Sequence, residues 1–201
     1  MFIIGITGGT GAGKTTALRA LGALGALVID CDAAYHELLL SNEDLKAELA
    51  AGFDGVLRNG EIDRKRLGEI VFADPSALAS LNATTHKYVG AEIERRLSEW
   101  ETQGGKIAAI DAIALLESGR NEKCDVTVGV VAPVDLRISR VMSRDGITRA
   151  QAEQRINAQK PDNFYRDNCG YILENPYDTP EEFKEICKEF FAKIIGGHKN
   201  A

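Results

Sequence analysis

Long hydrophobic runs are missing from this chain. Nowhere do about eighteen apolar residues follow one another, so no membrane-spanning helix is expected. The opening MFIIGI lacks the charged region and cleavage site of a signal peptide. The four cysteines, Cys31, Cys124, Cys169 and Cys187, stand far apart with no CxxC pair. That speaks against a zinc cluster or a disulfide framework and fits free thiols in a reducing cytoplasm. Basic residues are the minority, 24 Lys and Arg against 30 Asp and Glu, for a net charge of −6. A nucleic-acid backbone is therefore a poor main partner, although a local basic pocket can still hold a small anion. Internal repeats and low-complexity tracts are absent as well. What remains, 201 residues with 44% hydrophobic and 27% charged, suits one domain of ordinary size with room for an inserted subdomain.

Short apolar runs bounded by glycine or acid mark the strands. Phe2–Ile6, Ala26–Asp30, Lys106–Asp111 and Asp125–Val131 each read as a buried strand, and Gly170–Leu173 as a fifth. Helical stretches separate them, beginning with Lys14–Leu24, which implies right-handed crossovers and a parallel sheet covered on both faces. The alternation breaks between Asp32 and Gly104. That interval holds helical patterns at Ser76–Leu81 and Gly90–Trp100 and a turn-like RNGEID around Gly60, and reads as a helical insertion. Further on, Thr148–Gln151 and Thr179–Glu182 match capping boxes. The last helix places Phe183, Ile186, Cys187, Phe190, Phe191 and Ile194 on one face, a core stripe in which Cys187 is inert.

The glycine-rich stretch after the first strand carries the chemistry. Gly8, Gly9, Thr10, Gly11, Ala12, Gly13, Lys14 and Thr15 fit G-x-x-x-x-G-K-[ST], after a strand and at the opening of a helix as that motif requires. Backbone amides can wrap phosphate oxygens only where no side chain blocks the approach, and the helix directs its positive end at the same anion. Lys14 has the reach for the β- and γ-phosphates, and the Thr15 hydroxyl can ligate magnesium. Thr16 completes the stretch as a structural residue.

Acids close two of the strands. Asp111 ends Ile107–Ile110 and suits the magnesium side of such a site. Asp30 and Asp32 follow the second strand in VIDCD. Asp32 has two readings: a cap for a helix starting at Ala33, or a base that accepts the proton of an attacking hydroxyl. Beside a phosphate loop the second is preferred. Arg137, Arg140 and Arg144 share a narrow sector of one helix, next to Ile138, Val141 and Met142. They are either a solvated face or part of a lid closing over a transferring phosphate, with Arg144 and Arg140 the first to test.

Taken in order, these segments resemble the dephospho-CoA kinase family. GITGGTGAGKTT is similar to its loop and VIDCD to its Asp-x-Asp. NGEIDRKRLGEIVFADPSALASLNATTH is similar to its substrate-domain stretch, and DAIALLE to its D-x-P-L-L-x-E segment. RVMSRDGITRAQAEQRINAQ is similar to its lid and ILEN to its nucleotide-side ending. Lys87 stands where that family has proline, Ile113 replaces the proline of D-x-P-L-L, and Cys169-Gly170 replaces Ala-Asp.

The resemblance implies a three-layer α/β P-loop fold: a five-stranded parallel sheet, a helical substrate-binding insertion over 33–104, and a core over 1–32 and 105–201 with its lid near 140–165. It implies transfer of the ATP γ-phosphate to the ribose 3′-hydroxyl of dephospho-CoA, with Mg2+, in the cytoplasm and without an obligate protein partner. Asp32 would be the catalytic carboxylate, and Arg144, assisted by Arg140, the lid arginine. Arg64 and His86 would join Asp32 and Asp111 on the acceptor side, and Asn175 would lie near the adenine. Two rivals share the loop: a kinase for another small hydroxyl acceptor, and an ATP-binding module without catalysis.

Overall fold

The computed structural model describes residues 1–112 and 114–198, so Ile113 lies outside the described residues. By the density of its internal contacts the chain divides into two compact units. One comprises Met1–Ile29 and Trp100 onward; the other is Asp30–Glu99.

The first unit is built on a five-stranded sheet. Its strands are β1 (Phe2–Thr7), β2 (Leu27–Asp30), β5 (Ile107–Asp111), β6 (Val126–Val131) and β7 (Tyr171–Glu174), in the order β2-β5-β1-β6-β7. β1 is central and runs parallel to both neighbours, with Ile6 opposite Asp111 on one side and Val128 on the other. β7 runs parallel to β6. Each strand lies within a residue or two of its sequence-predicted run; for the inner strands β5, β1 and β6 the reason is that a strand covered on both faces tolerates few polar residues.

Helices complete the layers. α1 (Lys14–Ala23) and the C-terminal α9 (Pro180–His198) bury Leu18, Leu21, Phe183, Cys187 and Phe191 in one apolar cluster with Ile4, Ile6, Val128 and Val130. The predicted stripe of α9 is therefore its core face, with Ile186, Phe190 and Ile194 half-buried along the edge. α6 (Val134–Asp145) and α7 (Arg149–Asn157) form a smaller core of Ile138, Val141, Ala152 and Ile156. The Thr148–Gln151 capping box that opens α7 is fully formed. α8 (Asp162–Asn168) leads into β7.

In the second unit, α2 (Cys31–Ser41) and α3 (Glu43–Gly52) pack with a small hairpin, β3 (Leu57–Arg58) and β4 (Glu61–Ile62). The hairpin turns at Asn59 and Gly60, both at positive φ (52° and 81°), the backbone that a two-residue turn of matching twist demands. α4 (Arg64–Ala73) and the 28-residue α5 (Pro75–Thr102) follow. Lys87 lies inside α5. Its Nζ meets Glu48 Oε2 on α3 at 2.8 Å, and Tyr88 donates to the same oxygen. A proline at that position would remove both the ion pair and a helical hydrogen bond. Among the described residues no helix is long and apolar enough to cross a membrane.

Candidate active site

The turn between β1 and α1 is shaped by its glycines. Gly8 holds φ at 143°, and a Cβ there would stand 2.2 Å from the Val130 carbonyl oxygen. Gly13, the residue preceding α1, is left-handed at φ 112°, and a Cβ on it would lie 2.4 Å from Asn175 Nδ2. The loop therefore lies against the Val130 carbonyl and the Asn175 side chain too closely for a Cβ at either glycine. Thr16 and Ala17 give their amides to the Gly13 carbonyl, and the start of α1 directs the positive end of the helix toward the loop, the arrangement that receives an anion.

Side chains hold four of the loop carbonyls. Lys14 Nζ donates to Gly8 O at 2.9 Å. Arg137 Nε donates to Thr10 O at 3.0 Å, and Arg140 Nη1 to Gly11 O at 2.9 Å. Asn175 Nδ2 donates to Ala12 O at 2.8 Å. Thr10 also gives its amide to Gln159 Oε1 at 2.7 Å.

The three arginines of α6 form a gradient rather than a solvated face. Arg137 is buried to 2% exposure and paired with Asp162 at 2.9 Å. Arg140 is half-buried, bonded also to the Asn175 side chain and the Tyr177 carbonyl, and burial draws its pKa down. Arg144 is exposed and gripped by Asp145 through two bonds, at 2.7 and 2.9 Å, which raise its pKa. Its Nη2 stands 3.5 Å from the Thr10 hydroxyl. Arg155 shares the Asp145 carboxylate, whose pKa the Arg144 guanidinium lowers most.

The metal candidates lie on α1 and at the end of β5. Thr15 is exposed in the first turn of α1. Asp111 ends β5 opposite Ile6, two residues before Gly8. A hydroxyl and a carboxylate are hard oxygen donors, and magnesium at a triphosphate takes only one or two ligands from protein. By donor type, both residues suit such an ion.

Asp32, Arg64 and His86 belong to the second unit. The sequence allowed Asp32 as a cap on a helix starting at Ala33. Instead α2 starts at Cys31 and its cap is Asp30, whose carboxylate accepts from the amides of Asp32 and Ala33. The Asp32 carboxylate is exposed in the first helical turn. Arg64 Nη2 lies 2.9 Å from His36 Nε2. Burial raises the pKa of neighbouring Tyr35, and the Arg64 charge opposes that shift. His86 is exposed on α5.

Gln159 and Asp162 were not singled out by the sequence. Gln159 meets its partner across 149 residues, a pairing that no local pattern signals.

Known proteins resemble this chain. The family model described as dephospho-CoA kinase matches residues 2–181. A dephospho-CoA kinase of Geobacter sulfurreducens is 38% identical over 195 residues, covering 96% of this chain and 98% of that one. The solved structure of the Thermus thermophilus protein TT1252 superposes with a TM-score of 0.80 at 32% identity, covering 96% of this chain and 97% of the other. A dephospho-CoA kinase structure from Campylobacter jejuni, at 24% identity and 98% coverage of both chains, shares the fold with a TM-score of 0.70. The chain belongs to the dephospho-CoA kinase family.

Proposed function

We propose that this chain transfers the γ-phosphoryl group of ATP to the ribose 3′-hydroxyl of dephospho-CoA, releasing CoA and ADP. The observation that carries the reading is the phosphate loop, whose carbonyls are held by the side chains of Lys14, Arg137, Arg140 and Asn175. Its rigidity suits a reaction in which protein supplies position and charge rather than covalent chemistry.

Asp32 is the base. It takes the proton of the acceptor hydroxyl as that oxygen bonds to the γ-phosphorus and the β–γ bridging oxygen departs with ADP. Lys14 offsets charge on the β- and γ-phosphates, and Arg144 is the lid arginine that meets the transferring group. Arg140, committed to Gly11 and Tyr177, acts by fixing the loop. Thr15 and Asp111 would hold magnesium, which neutralises phosphate charge when bound. The adenine suits a cavity of about 200 Å³ lined by Val131, Pro133, Asp162, Asn175 and Pro176. Arg64 and His86 lie in the unit that binds the acceptor.

ADP release measured with dephospho-CoA against other hydroxyl acceptors tests the assignment. Preference for dephospho-CoA is the expected result. Faster turnover of a different acceptor would overturn the substrate, and ATP binding without turnover on any of them would leave only a binding module.

A further inference from the structure

The spacing of Arg137 on α6, like that of Arg140 and Arg144, suits either a solvated face or a lid. Arg137 is instead among the largest fully buried side chains of the first unit. A buried guanidinium is expensive, and an ion pair in its place is often no more stabilising than apolar residues of similar size. Its presence therefore calls for a role other than holding helices together.

Its hydrogen bonds suggest that role. Nη1 goes to Asp162 Oδ1 on α8 at 2.9 Å, and Nε goes to the Thr10 carbonyl in the phosphate loop at 3.0 Å. Nη2 is buried and has no hydrogen-bond partner among the described residues. It lies against the loop, 2.2 Å from where a Cβ on Gly9 would sit. One rigid planar fork thus spans α8 and two consecutive loop residues. Gln159 takes the amide of the same Thr10, so both backbone polar groups of that residue are fixed by the segment that carries the lid.

We infer that Arg137 is a positioning residue of the phosphate loop, with Asp162 setting the plane of its guanidinium. The role rests on the nucleotide reading of the loop. Arg137 holds the Thr10–Gly9 wall in the shape that receives phosphate and adds a fixed positive charge behind it. Lysine cannot substitute, because a point charge on a flexible stem does not bridge Thr10 and Asp162 while covering Gly9. Small errors in such a cradle are costly, since a displacement of about 1 Å can cost on the order of 100-fold in rate.

The test measures magnesium-ADP affinity and steady-state kinetics for the wild type, Arg137→Lys, Asp162→Asn and the double variant. Arg137→Lys is expected to weaken ADP at least tenfold and to raise the KM for ATP in step. The KM for dephospho-CoA should stay within twofold. Asp162→Asn should give a smaller effect in the same direction. If Asp162 acts only through Arg137, the double variant will be no worse than Arg137→Lys alone. Should Arg137→Lys fail to fold, Arg137→Gln takes its place in the same set of comparisons. ADP affinity within twofold of wild type, equal losses for both substrates, or additive losses in the double variant would each overturn the inference. Failure of the wild-type chain to bind ADP would instead overturn the nucleotide reading, and this role with it.

Discussion

The Asp30 carboxylate accepts hydrogen bonds from the backbone amides of Asp32 and Ala33, each at 2.9 Å, and so caps the helix on which Asp32 sits. Two acids two residues apart thereby divide two tasks. Asp30 satisfies the orphan amides at the start of α2, while Asp32 keeps its carboxylate out of the cap.

Their variants should separate accordingly. Asp32→Asn should lower kcat by about 10²- to 10⁴-fold, the usual worth of a positioned base, with ATP affinity almost unchanged. Asp30→Ala should cost about 1 kcal/mol of stability, a typical cap loss, and Asp30→Ser should recover most of it. ADP release and thermal unfolding read the two effects. A wild-type rate in Asp32→Asn would remove the base from the mechanism.

Asn175 ties the loop to the strand end after β7. It is 3% exposed, donates to Ala12 O and accepts from Arg140. Asn175→Ala strands a carbonyl and one guanidinium donor, which should cost about 1–3 kcal/mol, or roughly 2–4 °C in Tm for each kcal/mol in a chain of this size. Gly13→Ala should be worse, because strain at positive φ adds to a clash with the same side chain. Equal melting temperatures for Gly13→Ala and wild type would refute the close approach.

The parts of this molecule visible in its sequence are those specified by neighbours along the chain. Gly8 to Thr15 declare a phosphate loop because the pattern is contiguous, with Gly8, Gly11 and Gly13 at the positive φ that glycine allows. The strands declare themselves by apolar runs, and α7 by a cap and its reciprocal glutamine three residues on. The hairpin at Leu57–Ile62 was visible only as a turn, since each of its strands has two residues, too few for a period to register. Asp32 was offered as a cap because the helix start was placed two residues late, and at either boundary an acid satisfies the same chemistry. The supports of the loop were invisible for a different reason. Asn175 reaches Ala12 across 163 residues, and Arg137 carries a charge that argues for solvent until its partners Thr10 and Asp162 are known.

The cysteines should be quiet. Burial pushes the thiols of Cys124 and Cys169 up to about 11 and that of Cys187 to about 12. Since the thiolate is the reactive form, iodoacetamide at pH 8 should modify these three slowly in the native protein and rapidly after unfolding in guanidinium. Mass spectrometry of timed aliquots reads each site. Fast native alkylation of Cys187 would contradict its place in the core beside Phe183 and Phe191.

Acid should weaken the second unit through Glu92. Arg95, four residues before Glu99 and three after Glu92, bonds both Glu92 oxygens, and Arg96 Nε adds a bond at 2.7 Å. Arg95 above all, then Arg96, hold the Glu92 carboxyl down to about 2, against 4.5 when unperturbed. A carboxylate with a depressed folded pKa contributes stability that is complete above its unfolded pKa and disappears as pH falls through the folded one. The contribution should therefore be constant above about pH 5 and fade between 4.5 and 2. Arg96 also reaches Glu37 on α2, so the carboxylate helps to orient a tie between two helices of this unit. Glu92→Gln removes the titration while preserving shape. The difference in Tm between wild type and Glu92→Gln, measured from pH 7 downward, should hold steady to about pH 5 and then shrink. A difference that stays constant down to the lowest pH at which both proteins fold would show that the arginine pair does not hold Glu92 ionised.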